Sequence, residues 1–524
     1  MRGKIKILAG EVKGMIEKPW LPLREIPEKI SYDDVLLLEG VYVAEVFFEN
    51  GKRLVFSSLS GGIELYYAIY KGKVVYDTDF WRLSKKIKKM TLNKSERTFF
   101  ERKGYLRPGK TLFNEIHRLR LGYGLLICSN EFKIVELKRK DWNINYKKFL
   151  DTLRNSVRMH LNVVEKQKNA LLFSGGKDSA LLALLLNKEF GVPLKLYSAQ
   201  YSNPKGFLMS EKDTQRSLYY GKLLGIEISN IQVDCNKLLF EEISYLISLM
   251  PFGAHPAIIF EFLFRMIKND LGSAVVWTGQ NADTVYGMGL TDSNLSSAIV
   301  RYFLTDSFLA TLNDTKNQFL GKVIANLICE MYHFTRKKKI YRPKSSEELY
   351  YSAMNGINMM YPYKIKHQKV RKDSTSVEVV RRTIWDNYQS AHLMGMDHQV
   401  IRNVGDKNIL RIFPYSTVSS MMMFRNISYN FRDLLVPKRY ISIYLQKMLG
   451  KKAYKELYPT IYAVKNDDVV SNFEKKILYC TEYGKSLLSK SNIQEKQYSM
   501  QKVISRAWIN EILALLRKQG VIVK

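Results

Sequence analysis

The feature that most constrains the fold is a junction near residue 174. Asn169-Ala-Leu-Leu-Phe173 is a short apolar run with the length of a buried strand. Ser174-Gly-Gly-Lys-Asp-Ser179 is a glycine turn, and Ser179 to Phe190 carries the pattern of a helix. The same alternation continues downstream. Pro193 to Tyr201 reads as a second strand, Glu211 to Leu224 as a helix and Ile231 to Asp234 as a third strand. A helix around 256–269 then precedes a fourth strand, Ala274 to Thr278. Upstream, residues 145–168 place Phe149, Leu153, Val157 and Leu161 at helical spacing. Strands alternating with helices of this length predict an α/β unit built on a doubly wound parallel sheet. Residues 291–524 read as mainly helical, with a basic loop at 336–344 and a terminal helix near 498–518.

Residues from about 40 to 140 have a different texture. Val41 to Phe48, the turn signal Glu49-Asn-Gly-Lys52 and Arg53 to Ser57 carry the signals of a hairpin. Leu65 to Tyr70 and Val74 to Tyr76 repeat the pattern around Lys71-Gly-Lys73. Tyr123 to Cys128 and Phe132 to Leu137 repeat it around Ser129-Asn130. An antiparallel, sheet-dominated domain over 1–140 is therefore expected, followed by the α/β domain over 145–524. A chain of 524 residues has the length for two such units.

Composition excludes several classes. The chain is 46% hydrophobic and 25% charged, which is globular rather than disordered or collagenous. No apolar run reaches the ~18 residues of a membrane helix. The basic start Met1 to Ala9 has too short an apolar stretch for a signal peptide. A cytoplasmic protein that does not engage a membrane is expected. Cys128, Cys235, Cys329 and Cys480 lie far apart, and the seven histidines form no close pair beside carboxylates. This argues against structural zinc and against a disulfide framework. The formal charge of +32 is spread along the chain, with peaks at Arg336 to Lys339 and from Lys364 to Lys372. Such a field suits either a solvated basic face or an acidic protein, peptide or polyanion partner.

At the strand–helix junction the first helical N–H groups are unpaired and the helix dipole is positive. Gly175 and Gly176 let backbone approach an anion, and Ser174 and Ser179 add hydroxyls, so the hexapeptide reads as a phosphate nest. It is not a Walker A loop, whose longer glycine–lysine spacing is missing. Asp178 would repel phosphate unless a cation lay between them. Magnesium takes one or two carboxylates together with substrate phosphates. A second carboxylate should therefore converge from another strand end, and Asp283 in Thr278-Gly-Gln-Asn-Ala-Asp283 fits.

These segments resemble the asparagine-synthetase family, which includes β-lactam synthetases and lasso-peptide cyclases. There a Ser-Gly-Gly-x-Asp-Ser loop pairs with a later Thr-Gly-x-Gly-Ala-Asp-Glu segment. Leu65-Tyr-Tyr67, Pro108 to Phe113 with Arg118-Leu119, Ile412-Phe-Pro-Tyr415, Lys438-Arg-Tyr440 and Lys465 follow in the family's order. The resemblance implies an N-terminal glutaminase-like domain of the Ntn-hydrolase type and a C-terminal ATP-pyrophosphatase domain. It implies ATP and Mg2+ as cofactors, with the Ser174–Gly176 backbone on the pyrophosphate. Asp178 and Asp283 would hold the metal, with Ser179 completing the phosphate loop. The backbone at Leu196 and Ser198 would meet the adenine, Gly279 would line the nucleotide, and Lys465 would neutralise the charge that develops during catalysis.

The chain also departs from the family. Glutaminase members carry a cysteine nucleophile just after the initiator Met, whereas this chain begins Met1-Arg2-Gly3. The Arg-Asp that clamps glutamine appears as Ser57-Ser58. Asn281 replaces a glycine, Thr284 replaces an acid, and Ser416 stands where an acid usually follows the Pro-aromatic pair. An AMP-forming amide ligase without glutaminase activity is expected, degenerate in its N-terminal domain. It would join a small-molecule or peptide carboxylate to an amine or ammonia, with peptide cyclisation among the outcomes. The alternatives are an ammonia-dependent asparagine synthetase, an RNA-modifying enzyme with the same loop, and a non-catalytic ATP-binding scaffold. Nucleic acid is a disfavoured partner.

Overall fold

The structure is a computed structural model. It describes residues 2–15, 30–31, 38–128, 131–137, 149–164, 167–202, 211–234, 240–249, 251–252, 257–282, 408–426, 438–458, 482–492 and 500–524. Asp283, Thr284, Lys465 and the basic runs at 336–344 and 364–372 lie outside the described residues.

The N-terminal part contains two antiparallel sheets. Strands β1 (Arg2–Met15), β2 (Ile30–Ser31), β3 (Leu38–Phe48) and β4 (Arg53–Ser57) belong to the larger one. Strands β5 (Tyr66–Tyr70), β6 (Lys73–Asp77) and β8 (Ile116–Arg118) form a smaller sheet in the order β6-β5-β8. With β9 (Tyr123–Cys128) and β10 (Glu131–Glu136), the larger sheet runs β10-β9-β4-β3-β1-β2. The three hairpins read from the sequence are all present. The strand β1, paired along most of β3, has no counterpart in the sequence reading.

Alternation along β3 explains how this sheet is covered on both faces. Tyr42, Ala44, Val46 and Phe48 enter one apolar cluster. Val43 enters another, with Leu65, Leu119 and Leu125, which links the larger sheet to residues flanking the smaller one. Two helices also interrupt the strands, α1 (Phe80–Ile87) and α2 (Lys94–Lys103). Asp79 and Asn93 cap their N-termini, each accepting two backbone N–H groups.

The C-terminal part is the expected parallel sheet. Helix α3 (Phe149–Val164) leads into β11 (Lys168–Leu172), then α4 (Lys177–Leu184), which continues through a π-turn at Leu185–Glu189. Next come β12 (Lys195–Ser202), α5 (Glu211–Leu224), β13 (Ile228–Asp234), α6 (Phe240–Leu249), α7 (Ala257–Leu271) and β14 (Ala274–Thr278). Among the described residues a fifth strand, β15 (Ile409–Ile412), gives the order β13-β12-β11-β14-β15, all parallel. Its four residues lie in the region read from sequence as mainly helical, where a run this short carries no period. β14 is buried at all five residues, as a strand covered on both faces requires.

Helices α8 (Val418–Asn426), α9 (Arg439–Leu449), α10 (Lys451–Leu457), α11 (Glu482–Ser491) and α12 (Met500–Lys518) follow. The last helix returns to the N-terminal part. Trp508, Ile512 and Leu516 share a core with Tyr66, Phe80 and Phe100, and β16 (Ile522–Val523) pairs with β7 (Lys89–Met90). Among the described residues no helix is long and apolar enough to cross a membrane.

Candidate active site

The parallel sheet reverses its winding direction between β11 and β14. From β11 the chain adds β12 and β13 on one side, then β14 and β15 on the other. In open α/β sheets ligands bind at such a reversal, outside the carboxyl ends of the strands. Both motif loops lie there.

The first loop follows β11. Phe173 N extends the ladder by donating to Tyr197 O (2.8 Å), and the chain then turns at exposed Ser174. Gly175 has φ +68°, where a residue with a Cβ would be strained by ~1–2 kcal/mol. Gly176 starts α4 without a side-chain cap, unlike the N-termini of α1 and α2. Ser174 Oγ accepts from Gly176 N (3.2 Å) and lies 3.4 Å from Ser179 Oγ, and the Ser179 hydroxyl donates to Gly176 O (3.2 Å). The loop is shaped by its own hydroxyls, while the helix start keeps the partial positive charge that attracts an anion.

The second loop follows β14. Thr278 Oγ1 accepts from Gln280 N (3.1 Å), and Asn281 sits at φ +70°. Gly279 packs directly on the first turn of α4. A Cβ at this position would lie 3.1 Å from Ser179 N and 3.4 Å from Asp178 C.

A third segment follows β15. The 3-10 turn Pro414–Ser416 sends the Tyr415 hydroxyl to Asp178 O (3.0 Å), while Asn281 Nδ2 donates to Ser416 Oγ. Asn281 and Ser416 are thus two departures from the family pattern that meet each other. Both are buried, and among the described residues Asn281 Oδ1 has no hydrogen-bond partner.

The fourth wall comes from α9 and α10. Lys438, at the start of α9, places its ammonium on Asp178 Oδ2. Lys177 Nζ donates to Ser442 Oγ (3.0 Å) and lies 5.5 Å and 5.7 Å from the ring centroids of Tyr454 and Tyr458. The Tyr458 hydroxyl donates to Gly175 O (3.0 Å) and lies 2.7 Å from the Tyr220 hydroxyl. Burial, followed by the neighbouring Tyr220, pushes the Tyr458 phenol far up, so it stays a neutral donor.

Of the residues singled out in the sequence, Ser174, Gly175, Gly176, Asp178, Ser179 and Gly279 come together here. Leu196 and Ser198 lie one strand over, in β12, both buried. Leu196 N donates to Glu227 O (2.9 Å), and Ser198 Oγ lies 3.3 Å from Ser217 Oγ. Asp283 and Lys465 fall outside the described residues. The sequence reading assigned no role to Tyr415, Tyr458 or Lys177, and named Lys438 only by its place in the motif order. The one available signal was the crowding of Lys438, Tyr454 and Tyr458 within 21 residues of helical pattern.

Asp178 is a carboxylate that could hold magnesium were a phosphate bound at the neighbouring loop. Among the described residues no group of three or more His, Cys, Asp or Glu side chains could hold a metal by itself. An ion here would therefore depend on Asp178, a further group and phosphate oxygens.

Comparison with known proteins gives one family. Residues 148–392 match the family described as asparagine synthase. No curated protein matches the chain. A solved structure, U34-tRNA thiolase NcsA from Methanococcus maripaludis with its 4Fe-4S cluster, aligns at 15% identity over 69% of this chain and 88% of its own, with a TM-score of 0.22.

Proposed function

We propose that this chain, whose residues 148–392 match the asparagine synthase family, is an AMP-forming amide ligase. The observation that carries the reading is the uncapped Gly175–Gly176 loop at the β11/β14 reversal, walled by Gly279, Tyr415, Lys438 and Tyr458. A substrate carboxylate oxygen attacks the α-phosphorus of ATP, and pyrophosphate leaves. An amine nitrogen then attacks the acyl carbon, AMP leaves, and the amine gives up a proton.

In this proposal the Ser174–Gly176 backbone holds the departing pyrophosphate, with Ser179 fixing the loop. Magnesium held by Asp178 and Asp283 would neutralise charge on the phosphates. Lys438 keeps Asp178 compensated and oriented. Gly279 gives the nucleotide a wall without a side chain, and the adenine would rest at the end of β12, beyond the buried, sheet-paired Leu196 and Ser198. Lys465 stabilises the negative charge of the reacting acyl centre. Holding the amine beside the acyl group contributes mainly through proximity.

The amine is ammonia or an amine of the substrate itself. Where the family's glutamine clamp stands, this chain has buried Ser57 and Ser58. Ser58 Oγ is already occupied by Tyr42 N (3.3 Å) and Ser60 Oγ (2.7 Å). The division into a glutaminase-like region over 1–140 and a synthetase region over 145–524 is part of the same proposal.

The test is exchange of labelled pyrophosphate into ATP across a panel of carboxylic acids and peptides. Exchange is expected with at least one acid and is lost in Asp178→Ala and in Asp283→Ala. Exchange that survives either substitution overturns the assignment. The +32 charge supports a second reading, RNA modification. It would be favoured by tRNA binding with a steep negative salt slope and no acid-dependent exchange.

A further inference from the structure

Glu39 lies in β3 of the N-terminal sheet, 1% exposed, and its carboxylate crosses to the other half of the molecule. Oε1 accepts Val418 N (2.6 Å) and Gly40 N (3.2 Å). Oε2 accepts Ser419 N (2.9 Å) and the Ser419 hydroxyl (2.6 Å). Val418 and Ser419 are the first two residues of α8. The third N–H, of Ser420, donates to Thr417 Oγ1 (3.3 Å), and Met421 N donates to Thr417 O (2.9 Å). A helix start normally leaves such donors unpaired. Here a residue 379 positions away in sequence takes the first of them, with its carboxyl oxygens at the positive end of the helix.

What Glu39 fixes is joined to the ATP loop. The Ser420 hydroxyl donates to Pro414 O (3.2 Å), so α8 and the Pro414–Ser416 turn form one unit. From that turn Tyr415 bonds the Asp178 backbone and Ser416 bonds Asn281, one contact to each motif loop. At the other end Glu39 is held in place by its strand. Gly40 O accepts from the Ser60 hydroxyl (2.7 Å), and Ser60 Oγ is bonded to Ser58 Oγ.

We propose that Glu39 is a positioning residue for the ATP site. The N-terminal sheet would then set the geometry of the phosphate loop through the N-terminus of α8, independently of any glutaminase chemistry. The functional half of this inference rests on the reading of Ser174–Ser179 as an ATP loop. The structural half, coupling from Glu39 to that loop, does not.

The experiment uses the full-length protein with two substitutions in the same strand. Glu39→Gln keeps the size but sets an amide N–H2 against the Ser419 N–H. Glu45→Gln is the control. Glu45 is also a buried carboxylate, but its partners, Arg53 (3.2 Å) and Tyr76 (2.8 Å), stay within the N-terminal sheets. Two readouts are taken: amide hydrogen exchange without nucleotide, and the KM for ATP against kcat.

Glu39→Gln is expected to speed exchange at Val418 to Ser420 and also at 174–180 and 278–282. It is expected to raise the KM for ATP roughly tenfold while leaving the KM for the carboxylate substrate unchanged. Glu45→Gln is expected to do neither. Faster exchange confined to residues 418–420, or an equal effect of Glu45→Gln on the loop, overturns the coupling. Coupling to the loop in a wild-type protein that binds no Mg-ATP would support the structural half and refute the proposed function instead.

Discussion

Replacing Gly279 with alanine tests whether the contact between the two motif loops sets the shape of the phosphate site. The new Cβ would lie 3.1 Å from Ser179 N and 3.4 Å from both Asp178 C and Asp178 Cβ. Ordinary contact would need several tenths of an ångström more at the nitrogen. Two of these three neighbours are backbone atoms in the first turn of α4, so no flexible side chain can swing aside. Overpacking of this kind costs about 1–3 kcal/mol. The strain is relieved most directly by pushing the Asp178–Ser179 backbone away from β14, which shifts the N–H donors at the start of α4. A loss of 1–3 kcal/mol corresponds to roughly 5- to 150-fold in affinity. Calorimetric titration with Mg-ATP should show Gly279→Ala weakened within this range, with a cooperative thermal transition retained. Wild-type affinity together with a wild-type melting temperature would show that the loops do not constrain one another.

Other substitutions probe the same framework. Tyr458→Phe removes the hydroxyl that donates to Gly175 O, so Mg-ATP affinity should fall by about 1–2 kcal/mol with little change in Tm; unchanged affinity would remove Tyr458 from the site. Arg118 and Glu64 form an ion pair (3.1 Å) with side chains 0% and 3% exposed. Arg118→Met should destabilise the protein by about 3–5 kcal/mol, and Arg118→Met with Glu64→Met should recover much of that in urea unfolding. A double variant as unstable as the two single losses combined would contradict this. His117 lies against the Tyr67 ring (5.3 Å), and burial, then nearby Lys110, lowers its pKa from 6.5. The unfolded chain therefore takes up the proton first, so the contribution of His117 is present above the unfolded value and is lost as pH falls through the folded one. Thermal melts from neutral to mildly acidic pH should show a fall that is smaller in His117→Gln, and equal slopes would refute it.

Much of the architecture was legible because it follows local rules. The hairpins announced themselves through alternation and turn residues at Asn50-Gly51 and Gly72. The α/β alternation from Phe149 to Thr278 was clear because amphipathic helices and buried strands have different periods. Failures came where the local signal is short or contradicts its setting. β15 is four residues in a helical region, and it becomes a strand because β14 offers an open edge beside it. Asn281 and Ser416 each read as a loss when taken singly, yet they are partners in space.

By itself the sequence determined which donors and charges the loop brings together. Two glycines before an uncapped helix, with an aspartate in its first turn, favour a cation-compensated phosphate wherever they fold, since the donors and their charge belong to six adjacent residues. Tertiary structure alone decided what surrounds that loop. Lys438 against Asp178, Tyr458 on Gly175 O and Glu39 on the start of α8 join residues separated by 260, 283 and 379 positions. No period or spacing encodes such pairs. They exist because the sheet reverses between β11 and β14, and because packing brings the later helices back over that edge.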